Sequence, residues 1–361
     1  MPPAAPDDDI AAYDYVLPPE LIAQEPLARR DASRLLVVER ATGALSHRAF
    51  ADLPAILRPG DLLVTNRSRV FAARLLGRRQ GGGQAEILLV RRHTPDLWEA
   101  MVRPGRRLRP GAVVEVAPGL RVRVEEPLPN RAGPSQARGV ISPLRRVRLL
   151  LDGLDADSAL ERHGHVPLPP YIHRPDAPSD RERYQTVYAR EVGSVAAPTA
   201  GLHFTSELIE RVRTHGVQCA ELVLHVGPGT FRPVEVHDVR EHRVDPERFT
   251  IPAETATAVA RARAEGRRVV AVGTTTTRAL ESALDPAGRV RPGDGETALV
   301  IVPGFRFRAV DALVTNFHLP RSSLLLLVSA FVGRPRVLAA YSEAVRERYR
   351  FYSYGDAMLL V

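Results

Sequence analysis

Along most of this chain, short apolar strand-like segments alternate with helix-like ones, and a single stretch breaks that alternation. Arg34–Arg40 and Asp61–Asn66 read as strands flanking a short helix near Ala51–Leu57. Further on come a helix at Thr205–His215, a strand at Gln218–Val226, a helix at Pro252–Glu265 and a strand at Arg267–Gly273. A helix from about Thr276, strands at Leu299–Val302 and Ala309–Thr315, helices at Ser322–Phe331 and Arg336–Tyr349, and a last strand at Asp356–Val361 complete the series. Such alternation favours an α/β layer structure, in which helices cover the faces of a largely parallel sheet.

The break runs from Arg69 to Leu151. Strand-like pieces follow one another there without helices: Glu86–Arg91, Leu97–Val102, Ala112–Val116, Leu120–Glu125 and Gly139–Leu151. Turn clusters such as Gly81-Gly82-Gly83, Arg109-Pro110-Gly111 and Pro118-Gly119 separate them, a spacing that suits a small barrel or sandwich. Residues 127–138 read as a loose loop. The expected fold is an α/β main domain (residues 1–68 and 152–361) with an inserted small β-barrel domain (residues 69–151).

Charge follows the same division. The window holds 17 Arg against six acids, a balance of +11; the whole chain is +8, so +8 less +11 leaves −3 elsewhere. A small β domain with so positive a field is suited to a phosphate backbone, and Arg78, Arg79, Arg91, Arg92, Arg103, Arg106 and Arg107 are the candidate RNA contacts. A solvated basic surface fits the same composition. All 50 basic residues are Arg, so no lysine amine is present for Schiff-base chemistry. Cys219 is the sole cysteine, which excludes an internal disulfide and a cysteine metal cluster, and no His-Glu-x-x-His spacing occurs; no metal is expected. The start, Met1 to Asp9, lacks a signal-peptide pattern, and the apolar run Leu324–Val332 is too short to span a bilayer. The expectation is a cytoplasmic protein, monomeric and without a membrane partner.

Four polar loops sit at strand ends or helix starts, where ligands gather in open α/β sheets. Val195–Thr205 contributes Thr199, Ala200, Gly201 and His203, small residues that admit close backbone approach and an imidazole with a pKa near neutrality. His203 is the candidate proton-transfer group; a structural cap is the alternative. His225–Phe231 contributes His225, Gly227, Gly229 and Thr230, but its Gly-Pro-Gly lacks the spacing of a dinucleotide loop. Gly273–Glu281 contributes Thr274, Thr275, Arg278 and Glu281, suited to a carboxylate or ribose, or to plain helix capping. Thr315–Ser323 contributes Asn316 and His318, expected on one side, with Phe317 beside them to stack on a purine. A polar turn capping the next helix through Ser322 explains the same residues.

At these loops the sequence resembles a known family. Ala196–Phe204 (AAPTAGLHF), Gly273-Thr274-Thr275 with Arg278, Asp311–Pro320 (DALVTNFHLP) and Tyr349–Met358 (YRFYSYGDAM) are similar to the S-adenosylmethionine:tRNA ribosyltransferase-isomerases of queuosine biosynthesis. Pro59–Val64, Pro167–Ile172 and Tyr184–Tyr188 agree as well, in order and over essentially the full length. The resemblance implies an α/β fold interrupted by a β-barrel, and a reaction using S-adenosylmethionine as ribosyl donor. The acceptor would be 7-aminomethyl-7-deazaguanine at the wobble position of tRNA, the product epoxyqueuosine, and adenine and methionine would be released. It implies no cofactor beyond that co-substrate. Arg69, Tyr354 and Asp356, within or beside matching runs, join the substrate-binding candidates. Arg67, Ser68, His173 and Asp245 depart from the usual pattern, Asp245 standing where a second His is common. The rival readings are a same-fold paralogue acting on another deazapurine or nucleoside, a non-catalytic tRNA-binding module, and a methyltransferase, the last disfavoured by the lack of an early glycine-rich loop.

Overall fold

The strands' own composition explains the layers. In Val269–Val272, Val270 and Val272 pack on one side while Val269 and Ala271 pack on the other, and all four are buried. Strands apolar on both faces need cover on both. A computed structural model describes residues 7–128, 144–153, 155–231 and 233–361 and provides that cover. One face is closed by the helices Leu53–Ile56 and Ser206–Thr214. The other is closed by Ala253–Ala264, Thr274–Ser282, Ser323–Val332 and Arg334–Arg346.

The main sheet has nine strands, in the order Gly293–Thr297, Glu247–Ile251, Gln218–Leu224, Leu62–Asn66, Val269–Val272, Ala312–Asn316, Ala357–Leu360, Arg34–Val38 and Leu45–Ala49. Its four central strands, Gln218–Leu224 through Ala312–Asn316, are mutually parallel. Their carboxyl ends therefore open on one edge and launch the loops at 225, 67, 273 and 317.

The insertion leaves just beyond the end of Leu62–Asn66. It forms a closed barrel of six antiparallel strands, ordered Leu144–Leu151, Leu97–Arg103, Gln84–Arg92, Arg74–Arg79, Val113–Ala117 and Leu120–Pro127. Residues such as Leu75, Ile87, Val114 and Val147 alternate inward to fill it. The expected strand at Gly139–Leu151 is found over Leu144–Leu151; its first residues, and most of the expected 127–138 loop, lie outside the described residues. A short parallel ribbon, Ser68–Val70 with Glu191–Ser194, stands beside the barrel's entry and exit.

Two local expectations need correction. Leu299–Val302 is not a strand: the Thr297 hydroxyl accepts from the Leu299 amide at 3.1 Å and ends the ladder, while Ile301 is buried as core. The Thr-rich helix begins at Thr274, two residues before the expected start. Thr276 and Thr277 turn their hydroxyls back onto the carbonyls of Val272 (2.7 Å) and Gly273 (3.2 Å), which lets a β-branched run sit inside a helix. Among the described residues no single helix is long and apolar enough to cross a membrane.

Candidate functional site

All four expected loops reach the same end of the molecule, and there they separate into a sealed set and an open set. Thr199, His203 and Asn316 belong to the sealed set. The Thr199 hydroxyl donates to Asn316 Oδ1 (3.0 Å), and Asn316 Nδ2 contacts His203 Nε2 (3.0 Å) and donates to the Tyr352 carbonyl (3.2 Å). His203 Nδ1 meets the Ser33 hydroxyl at 2.8 Å, and that hydroxyl reaches the Arg30 carbonyl. An amide that donates to Nε2 leaves the ring's one proton on Nδ1, so both nitrogens are occupied. Burial, with Arg30 and Arg350 adding positive charge, pushes the imidazole down to about 3. It is neutral but has no free nitrogen, which removes the geometric ground for His203 as the base.

His318 is sealed too. Its Nε2 bonds Thr315 Oγ1 at 2.8 Å, its amide donates to the Tyr341 hydroxyl at 2.9 Å, and burial pushes its ring down to about 3. The strand ends at Asn316, so the expected alternation with His318 stops there. Phe317 is wholly buried against Tyr341, Tyr349 and Phe351 and offers no face to a purine. Gly201 is required by the protein itself: a Cβ there would lie 2.2 Å from the Tyr188 hydroxyl. Ala200 is core.

Three further candidates hold the fold. Glu281 accepts from the amides of Arg308, Ala309 and Val310 at 3.0–3.2 Å, which occupies its carboxylate. Asp356 accepts from the amides of Arg34 (2.9 Å) and Arg350 (2.8 Å). Tyr354 donates to Asp180 at 3.0 Å. Thr274 and Thr275 are buried on the first helical turn, the Thr275 hydroxyl without a partner.

The open set lines a cleft between the sheet edge and the barrel. One lobe is a cavity bordered by Gly227, Gly229, Thr230, Asp245, Glu247 and Arg278 from the α/β side and by Val90, Glu99, Met101 and Leu144 from the barrel. Leu299, Ile301, Leu324 and Leu327 supply apolar walls. Glu247, unanticipated from the sequence, organises this lobe: Oε1 accepts from the Gly227 amide at 2.9 Å and Oε2 pairs with the Arg278 guanidinium, both side chains being buried. Arg278 is thus already matched to a carboxylate of its own chain, with its Nε unpartnered. Three carboxylates therefore line the lobe, Glu247 matched to Arg278 and Glu99 meeting His93 Nε2 at 2.9 Å. The barrel closes it to about 80 Å³. Small-molecule sites run to roughly 300–1,000 Å³, so the lobe as it stands is narrower than a typical one.

The second lobe is a groove of about 830 Å³ bordered by Arg69, Arg92, Arg181, Arg248 and His225. The lobes share Val90 and meet across His225–Gly227. His225 Nδ1 is buried without a partner, and burial with Arg248 nearby holds the ring below the usual imidazole value, against a smaller opposing effect of Glu191. The ring lies on Gly193, where a Cβ would come within 2.7 Å of it.

Residues that the sequence did not flag position this seam. Asn66 clamps Leu224, accepting from its amide at 3.0 Å and donating to its carbonyl at 2.9 Å. The Ser194 hydroxyl donates to Ser68 at 2.9 Å and accepts from the Val226 amide at 3.0 Å. Of the unusual positions, Asp245 borders the cavity, whereas Arg67 pairs with Glu191 and Glu221 and His173 is bound through its amide to Gln24. Among the barrel arginines, Arg91 pairs with Glu296 and Arg92 with Asp157. Arg78 and Arg103 border an open groove on the barrel, Arg79 is half-buried against Gly83, and Arg106 and Arg107 are exposed. Among the described residues no group of three or more His, Cys, Asp or Glu is arranged to hold a metal ion.

Comparison with known proteins agrees with this architecture. Residues 10–360 match the model of the family described as queuosine biosynthesis protein. The S-adenosylmethionine:tRNA ribosyltransferase-isomerase of Symbiobacterium thermophilum is 52% identical over 98% of this chain and 99% of its own length. That of Thermus thermophilus is 54% identical over 98% and 100%. The crystal structure of S-adenosylmethionine tRNA ribosyltransferase from Thermotoga maritima is 39% identical, covers 97% of this chain and 99% of that one, and has a TM-score of 0.54. A parallel sheet edge facing an inserted barrel and a match along nearly the whole length lead to one conclusion: the chain belongs to the queuosine biosynthesis protein family, together with the S-adenosylmethionine:tRNA ribosyltransferase-isomerases.

Proposed function

We propose that this protein transfers and isomerises the ribosyl part of S-adenosylmethionine onto 7-aminomethyl-7-deazaguanine at the tRNA wobble position. Epoxyqueuosine forms, and adenine and methionine are released. The observation that carries the reading is the match, along nearly the whole chain, to relatives so named. The cavity supports it, because Glu99, Asp245 and Glu247 favour a sulfonium cation while Leu299, Ile301 and Leu324 suit a flat base.

The sulfonium acidifies the neighbouring C–H, and His225 is the proposed base in place of His203. Support for it comes from its free nitrogen at the seam between the lobes. The proton passes to His225 as the neighbouring ring C–O bond breaks, and collapse of the freed oxygen to an aldehyde expels adenine. The 7-aminomethyl nitrogen, giving up a proton, bonds the resulting vinyl sulfonium and stays in the product; the carbanion this regenerates bonds the aldehyde carbon, and the alkoxide so formed displaces methionine to close the epoxide. Both substrates are cytoplasmic, and both lobes come from one chain, so a cytoplasmic monomer without membrane attachment is the simplest working unit.

Purified protein incubated with S-adenosylmethionine and precursor-bearing tRNA tests the reaction. Adenine and methionine release should depend on the tRNA, with epoxyqueuosine in the digested nucleosides. S-adenosylhomocysteine as product, or RNA binding without turnover, would overturn it.

A further inference from the structure

The two lobes differ in which of their charges are matched. In the cavity Arg278 is paired with Glu247. In the groove Arg69, Arg181 and Arg248 are exposed and make no ion pair with any described residue, although Arg181 donates to the Gly164 carbonyl at 2.7 Å. Arg92, on the same groove, is held by Asp157. Exposed guanidiniums left unmatched around a concave surface attract a polyanion, and each can take a phosphate through two parallel hydrogen bonds. Two of the three flank the seam from different elements. Arg69 lies on the ribbon strand Ser68–Val70 and Arg248 on the sheet strand Glu247–Ile251, whose carbonyl accepts from the His225 amide at 2.9 Å. Phosphates held there would put the attached nucleoside at the mouth of the cavity.

We propose that this groove, shared by the α/β part and the near side of the insertion and distinct from the barrel's outer arginines, is where the substrate RNA strand lies, its phosphates on Arg69 and Arg248. The proposal rests on the tRNA-directed reading above and deepens it. RNA enters from the arginine-lined lobe, the cationic co-substrate occupies the carboxylate-lined one, and they meet at His225–Gly227.

The probe is an unmodified tRNA transcript, its affinity measured by fluorescence anisotropy over a range of salt. The double variant Arg69→Glu/Arg248→Glu should bind at least tenfold more weakly, with a salt slope shallower by about 0.7–0.9 per lost phosphate contact. Its calorimetric affinity for S-adenosylmethionine alone should match the parent's, which shows that the fold and cavity survive. Arg106→Glu/Arg107→Glu, outside the groove, should stay within about twofold of the parent. Unchanged RNA affinity and slope in the groove variant, or an equal loss in the Arg106/Arg107 variant, would overturn the proposal. A parent protein that binds tRNA but releases no adenine would sink the reaction instead and leave this test standing.

Discussion

The cleft's two lobes are built from the same sheet edge and the same barrel, yet they are lined differently. Carboxylates border the cavity, Glu99, Asp245 and Glu247 beside Arg278, while guanidiniums border the groove, Arg69, Arg92, Arg181 and Arg248 beside Asp157 and Glu161. Nothing in fold class requires that division. It teaches that a site joining a cation to a polyanion can be organised by giving each its own lining, with the reacting atoms meeting where one lining gives way to the other. The histidines follow the same logic: His225 stands on that boundary with a nitrogen unspent, whereas His203 lies behind it with both nitrogens engaged.

The strongest way to break this picture is at the seam. His225→Gln should lower kcat for adenine release by about 10²–10⁴-fold with little change in affinity for either substrate. A fall in binding with kcat preserved would assign His225 to recognition alone. Because its pKa lies below the usual value, turnover should be lost only on the acid side and be flat above neutrality.

Next in size is the pair that shapes the carboxylate-lined lobe. Glu247→Ala strands a buried guanidinium and frees the Gly227 amide, and breaking such a pair costs about 3–5 kcal/mol. The thermal midpoint should drop by several degrees, and Glu247→Ala combined with Arg278→Met should recover part of it. A midpoint equal to the parent's would mean that the pair is not formed in solution.

The sealed histidines give a smaller, pH-graded effect. His203 and His318 titrate near 3 when folded and near 6.5 when unfolded. Below 6.5 the unfolded chain binds protons that the native state refuses, so stability must fall as pH drops through that window. The expected slope is roughly 1.4 kcal/mol per pH unit for each ring. A urea-unfolding series in the parent and in His203→Gln should show the variant's slope reduced by one proton's worth; identical slopes would contradict the sealing. Smallest of all, Asp245→Asn removes one of three negative charges from the cavity. It should weaken S-adenosylmethionine binding a few-fold by calorimetry, with RNA affinity unchanged.

Much of the frame was legible from residues alone. Alternating apolar runs marked the sheet and its helices, and helix boundaries followed their caps: Thr205 accepts from Leu208, and Ser322 from Leu325, at the starts where each was expected. The unbroken series of strand-like pieces marked the barrel. The short strand Glu247–Ile251 was missed, since Arg248 and Thr250 interrupt its apolar pattern, and Glu247 was missed with it.

What sequence by itself determined is therefore everything governed by local period and composition: the layered class, the inserted barrel, the loops placed at one sheet edge, and a positive excess confined to one window. Only the tertiary structure decided which polar groups at that edge are spent and which are free. The physical reason is that a buried donor or acceptor is matched by whatever the fold brings beside it. Ser33 and Asn316 close His203 from 170 and 113 residues away, and Glu247 reaches Arg278 across 31. No pattern within a loop foretells partners at those separations, so candidate residues equal in sequence became scaffold in one case and cleft in the other.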